Sequence, residues 1–214
     1  MLGLSLETLI VRLIILLISL PVHEFAHAWT ADRFGDTTPR QYGRLTLNPL
    51  RHLDVVGSLM ILFAGFGWAK PVPVNPYALG RKSPAALMWV SLAGPMSNFL
   101  MALLAVIPLR AGWVEPSAYS GLATFTAYGF LLDFIYINLT LMLFNLIPLA
   151  PLDGDKIADY FFPPSWARAL ERIRPYGPMM ILVLFIGLPY VGVDIYSMLI
   201  TPVLYNLLSL LGVF

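Results

Sequence analysis

The chain has 214 residues, 58% of them hydrophobic and 12% charged, with a net charge of +1 and a mean hydropathy of +0.77. Soluble domains are nearer a quarter charged, so this is the composition of a polytopic membrane protein with little room for a soluble domain, and no nucleic-acid partner is expected. The absence of cysteine excludes disulfides, thiolate catalysis and cysteine metal ligands, so any bound metal must use His, Asp or Glu, and the only histidines are His23, His27 and His52.

In chain order, a first apolar span runs from about Leu9 to Ala31. As a helix it covers roughly 35 Å, enough to cross a hydrocarbon core of about 30 Å. It is longer than a signal-peptide core and lacks a small-residue cleavage site, so it is expected to be retained. Pro21 should kink this helix or free a carbonyl in it. Asp32 to Asp54 is polar and basic, and Val55 to Phe66 is apolar but short, loosened by Gly57, Gly65 and Gly67. Alternating prolines in Trp68-Ala-Lys-Pro-Val-Pro-Val-Asn75 predict extended chain. A second span is expected at about Ala85–Leu109, a loop at Trp113–Tyr119 and a third span at about Leu122–Leu149. Polar chain follows from Asp153 to Arg174, then two further spans at roughly Pro178–Val191 and Ile195–Leu211, the latter interrupted by Pro202.

Charge predicts orientation. Eleven of the thirteen basic residues lie in the two polar segments, at 33–82 and 156–174, leaving only Arg12 and Arg110. The positive-inside rule makes both segments cytoplasmic and the N-terminus external. A crossing by 55–66 would put basic clusters on opposite sides, and about 12 residues of helix reach only roughly 18 Å. This piece is therefore expected to be re-entrant, which is tolerated where protein or a water-filled cavity covers the backbone.

The chemistry is concentrated in His23-Glu24-Phe25-Ala26-His27, which ends the first span. Ionisable groups within a membrane are costly and usually functional. In H-E-x-x-H on a helix the two histidines share a face and can bind one zinc, while the glutamate can act as general base. A buried polar cluster joining helices is the alternative. Catalytic zinc needs a third protein ligand, and Asp153, where Pro148 and Pro151 unwind the end of the third span, is a candidate. A plain turn residue before Gly154 is the competing reading of Asp153. With 55–66 not crossing, the first and third spans run in the same direction, so His23, His27 and Asp153 lie at similar depth near the cytoplasmic side.

The sequence resembles the site-2 proteases, intramembrane zinc metalloproteases of the peptidase M50 type. The resemblance is carried by HEFAH at 23–27, Asn48-Pro-Leu-Arg-His-Leu-Asp-Val-Val-Gly-Ser58, Gly67-Trp-Ala-Lys-Pro-Val-Pro-Val-Asn-Pro76, Ala93-Gly-Pro-Met-Ser-Asn98 and Asn145-Leu-Ile-Pro-Leu-Ala-Pro-Leu-Asp-Gly154. It implies one zinc on His23, His27 and Asp153, Glu24 as catalytic acid/base, and Asn145 near the zinc, helping to hold the substrate carbonyl or oxyanion. It also implies that 68–76 approaches an extended substrate, a transmembrane protein or peptide. The chain resembles the compact group without a PDZ domain.

Other residues carry two readings. His52 and Asp54 could lie near the metal or fix their loop, with Asp54 as N-cap of 55–66; the second is preferred. Asn98 could approach the site or join helices beside Gly94, again with the second preferred. Asn145 reads equally as catalytic or structural, Asp133 as an outer-interface residue in preference to a functional one, and Trp68, Trp89, Trp113 and Trp166 as interfacial anchors rather than ligand contacts. The expected fold is an all-α polytopic membrane protein: about five transmembrane helices, one re-entrant segment and a small extended or β element near 40–50 and 68–76. It forms one membrane-embedded unit over 1–214, with a catalytic core at about 8–160 and C-terminal helices at about 177–212. The expected function is cleavage of peptide bonds in or near transmembrane segments at a multi-pass cell-membrane site facing the cytoplasm. A non-proteolytic scaffold or metal carrier on the same fold is the rival, and composition leaves the oligomeric state open.

Overall fold

The computed structural model describes residues 6–64, 67–116 and 126–213. Gly65, Phe66, and the parts of the expected loop and third span within 117–125, lie outside them. The helices are α1 (Leu6–Arg33), α2 (Thr38–Gln41), α3 (Val55–Ala64), α4 (Pro76–Lys82), α5 (Ala86–Arg110), α6 (Ala127–Asn145), α7 (Asp153–Phe161), α8 (Pro164–Ile173), α9 (Gly177–Leu182) and α10 (Thr201–Leu210). Among the described residues four helical stretches are long and apolar enough to cross a membrane: Thr8–Arg33, Ala86–Arg110, Ala127–Asn145 and Pro164–Val191.

α5 is the central element, packed on α1 along one side and on α6 along the other. Small residues allow the close approach to α1. Ala31 of α1 and Ala86 of α5 are fully buried in one cluster, and such residues let backbones pack closely where lipid supplies no hydrophobic drive. A second packed cluster joins Ala102, Ala105 and Val106 of α5 to Ile135, Leu139 and Met142 of α6 and Leu204 and Leu208 of α10. α1 runs unbroken through Pro21, which is buried. The missing N–H of Pro21 leaves one carbonyl of the preceding turn without its helical partner, but the helix continues.

The stretch from Asp153 to Arg174, read from sequence as polar chain, is helical. α7 buries Gly154, Asp155 and Ala158. The Asp155 carboxylate takes Lys156 at 2.8 Å and Arg174 at 2.9 Å, and Arg174 also pairs with Asp159. Asp155 and Asp159 of α7 are thus paired, within the helix and with Arg174, which follows α8. Further on, π-helical turns at Val183–Gly187 and Tyr196–Ile200 each sit just before a proline, Pro189 and Pro202. There the missing N–H interrupts the regular ladder.

The 53–70 segment is a helix followed by a return strand-like stretch. Leu53 and Ala69 form an antiparallel bridge, and Lys70 N–H donates to His52 O at 2.7 Å. Gly57 and Gly67 let the two limbs touch: a Cβ on Gly57 would overlap Trp68 O, and one on Gly67 would overlap Gly57 O. No strand forms among the described residues, and the β pairing of the expected element near 68–76 is this single bridge. Near 40–50 the chain is built of turns, α2 and the 3-10 turn Pro49–Arg51. The alternating prolines explain the lack of a ladder, because Pro71 and Pro73 have no N–H to give.

Candidate metal centre

α1 places His23 and His27 one turn apart on the face that meets α5, and both are buried. Their Nε2 atoms lie 3.0 Å apart. Asp153, the first residue of α7, brings Oδ2 to 3.2 Å from His23 Nε2 and 3.3 Å from His27 Nε2. The approach depends on Gly154, where a Cβ would overlap the Leu146 and Ile147 carbonyls at the end of α6. The chain can therefore turn tightly from α6 into α7 and aim Asp153 back at α1. Two residues one turn apart and a third 126 positions after His27 thus converge on one point.

The donor chemistry fits a cation. His27 Nδ1 is 2.7 Å from Val90 O. A carbonyl only accepts, so Nδ1 carries the proton and Nε2 keeps its lone pair. His23 Nδ1 is 2.5 Å from Asn98 Oδ1, with the same consequence. Two Nε2 lone pairs and a carboxylate oxygen therefore face each other, and Asp153 Oδ2 is buried without a well-aligned hydrogen bond despite the short separations. A tetrahedral zinc with bonds of about 2.0–2.1 Å holds its ligand atoms roughly 3.3 Å apart, close to the three separations here. A zinc held by these three residues would keep a fourth position for water, as catalytic zinc requires.

Gly94 of α5 is the other requirement. A Cβ there would overlap His27 Nε2 and crowd Cε1 of both imidazoles. The A-G-P block read from sequence is thus the place where α5 makes room for the histidine pair.

Glu24 is buried beside His23, and its Oε2 accepts from Val72 N–H at 3.2 Å. In Pro71-Val72-Pro73 this is the one N–H the segment can offer. Asn145 ends α6, and its Nδ2 donates to Leu141 O at 3.0 Å, one turn back in its own helix. His52 is fully buried, with Nε2 2.7 Å from Thr46 O, and stands outside the converging group. Asp54 Oδ1 accepts from Gly57 N–H at 2.9 Å, capping α3. Asp133 is buried within α6.

Asn98 joins helices, as expected, and also contacts His23, a candidate ligand. Asn138, Val90 O and Val72 N–H are further groups around the site that the sequence motifs do not mark. A lone amide in an apolar helix was the available signal for Asn138. Backbone groups carry no such signal.

Residues 11–114 match the family model Peptidase family M50. YwhC of Bacillus subtilis (strain 168), named as a zinc metalloprotease, is 43% identical over 178 residues, which cover 81% of this chain and 78% of YwhC. Rip2 of Mycolicibacterium smegmatis, also named as a zinc metalloprotease, is 34% identical over 79% of this chain and 64% of its own length. Rip2 of Mycobacterium tuberculosis (strain H37Rv) is 33% identical over 80% and 64%. The match thus spans somewhat less than two thirds of the Rip2 proteins. No solved structure matches the chain. With a His–His–Asp group that could hold a metal, among helices apolar enough for a membrane, and with these relatives, the chain belongs to peptidase family M50, the site-2 protease family, and is a zinc metalloprotease.

Proposed function

We propose that this protein hydrolyses peptide bonds in or next to the transmembrane segments of membrane-protein substrates, with zinc on His23, His27 and Asp153. The observation that carries this reading is the convergence of those three ligand atoms on α1, a helix long and apolar enough to cross a bilayer. A zinc held there supplies Lewis acidity, lowering the pKa of a water toward neutrality and polarising a peptide carbonyl. Glu24 takes the proton of the attacking water and returns one to the leaving nitrogen. Val72 N–H fixes one carboxylate oxygen, Oε2, and the other is left for that proton. Asn145 steadies the developing oxyanion, for which its amide turns from Leu141 O toward the substrate.

A helical substrate must unwind before its backbone can be attacked. The extended 68–76 segment, already touching Glu24 through Val72, is the surface on which unwound chain is held. Carbonyls of Pro71 and Pro73 accept from it, since neither proline can donate.

The paired ends of the 53–70 segment support a re-entrant α3. The meeting of Asp153 with His27 supports equal depth for the ends of α1 and α6. With the charge distribution, this reading has about five crossings, a cytoplasm-facing site in the cell membrane and a single membrane-embedded unit.

The test is Glu24→Gln in purified full-length protein, with zinc content and cleavage of a transmembrane substrate measured together. Zinc retained with cleavage lowered by about 10²–10⁴-fold is expected on loss of a general base. Undiminished cleavage would refute the mechanism. A wild-type protein inert toward a panel of transmembrane substrates would favour a scaffold.

A further inference from the structure

Three fully or nearly fully buried polar side chains on three different helices form one hydrogen-bonded line: His23 on α1, Asn98 on α5 and Asn138 on α6. Asn138 Nδ2 donates to Phe134 O at 2.8 Å. Asn98 Nδ2 donates to Asn138 Oδ1 at 2.9 Å. Asn98 Oδ1 faces His23 Nδ1 at 2.5 Å.

The line has a fixed direction. Its far end is a backbone carbonyl, which can only accept. Phe134 O therefore requires the NH₂ of Asn138 on its side and leaves Oδ1 for Asn98. Asn138 Oδ1 in turn requires the NH₂ of Asn98, leaving Oδ1 for His23. An oxygen at that point requires a proton on His23 Nδ1, and the lone pair is left on Nε2, toward His27 and Asp153. Reversing any one amide would set two acceptors or two donors against each other in a dry interior, at the cost of a buried unsatisfied pair.

We propose that Asn138 is a positioning residue that acts through Asn98 to select Nε2 of His23 as the metal-binding atom, so that α6 holds the ligand set in register without touching it. The two ligand histidines are oriented differently. His27 uses a carbonyl of α5, Val90 O, which cannot reverse. His23 uses an amide, which can, and the third helix supplies the lock. The proposal rests on the His23–His27–Asp153 reading of the metal site.

The experiment uses the full-length protein in lipid nanodiscs. Zinc affinity is measured by chelator competition, and the absorption spectrum of the cobalt(II) form reports ligand geometry. Asn138→Leu and Asn98→Leu are each expected to weaken zinc binding by about 10–100-fold, as for loss of other outer-shell partners of metal-bound histidines, and to change the cobalt spectrum. Asn98→Asp keeps an acceptor for His23 Nδ1–H and is expected to keep the affinity. Asn138→Asp, uncharged in this apolar setting, can donate its O–H to Phe134 O and accept from Asn98, so it is expected to rescue the leucine defect.

Wild-type zinc affinity and an unchanged cobalt spectrum in folded Asn138→Leu would overturn the proposal, leaving Asn138 as a link between helices. Failure of Asn138→Asp to rescue would overturn it too, and that variant together with the Asn98 pair decides the matter if Asn138→Leu does not fold. Wild-type protein that binds zinc no more tightly than Asp153→Ala would instead refute the metal-site reading itself, a result distinct from a tight wild type matched by a tight Asn138→Leu.

Discussion

Gly94 and His52 are opposite cases of a residue beside a metal motif. Gly94 lies against both imidazoles, and each ring is held at Nδ1, by Val90 O and Asn98 Oδ1. Neither ring can swing away to admit a methyl group. Gly94→Ala is therefore expected to lower zinc affinity by at least about tenfold, read by chelator competition; affinity equal to wild type would show that the rings move more freely than their hydrogen bonds imply. His52 is a histidine near the motif blocks that serves its loop, through Thr46 O. His52→Ala should leave one zinc per chain while destabilising the protein by roughly 1–3 kcal/mol, the usual cost of losing a partner for a buried polar group. Metal analysis and a melting curve on the same sample separate the two effects, and loss of zinc with an intact fold would place His52 at the metal after all. Residue type alone did not distinguish these two roles. Whether a ring nitrogen meets a carbonyl or a metal site depends on what another helix places opposite it.

The element that links membrane position to chemistry is the 53–73 hairpin. One end of α3 is capped by Asp54. Near the other end, Leu62 O accepts from Arg12 Nη1 at 3.0 Å. Arg12, a cation in the apolar first span, thus serves the carbonyl end of a short helix, where positive charge is favourable. The returning limb then carries Val72 to Glu24. Arg12→Met should loosen this hairpin from its tip. Hydrogen exchange at amides 60–64, 67–70 and 72 is expected to speed up, while α5 and α6 keep their protection. Unchanged exchange at the tip would show that the Arg12–Leu62 contact adds nothing to the hairpin. The helix and its breakers were legible from apolar runs and prolines, as was the cap at Asp54. The pairing of Leu53 with Ala69 was not, since no alternation of residue types marks a single bridge.

At the scale of the whole molecule, the reading depends on which loops share a side of the membrane. The chain has no cysteine, so single cysteines can be placed at exposed Tyr42, Tyr77 and Trp113. A membrane-impermeant thiol reagent added to right-side-out vesicles is expected to label position 113 only, and added to inverted vesicles to label 42 and 77. Labelling of 42 and 77 from opposite sides would mean that α3 crosses. Removal of zinc by chelation should abolish proteolysis and its return should restore it, with little change in helix content, because α1, α5 and α6 are packed on each other through residues away from the metal site.

From the sequence alone came the apolar character of the chain, its long apolar helices and the candidate histidine pair with Glu24. Apolar runs long enough for a bilayer, and two histidines and a glutamate at helical spacing, are local properties of the chain. It also carried the third candidate ligand, though only in combination with the family resemblance, since an aspartate before a glycine has many uses. Tertiary structure decided the rest: that Asp153 turns back onto His23 and His27, that Gly94 clears space for them, and that Asn98 and Asn138 set the direction of the hydrogen bonds behind His23. The physical reason is that a metal site is a coincidence of lone pairs from distant parts of the chain. Sequence spacing fixes their positions along each helix, but only the packing of α1, α5, α6 and α7 fixes the distances between them.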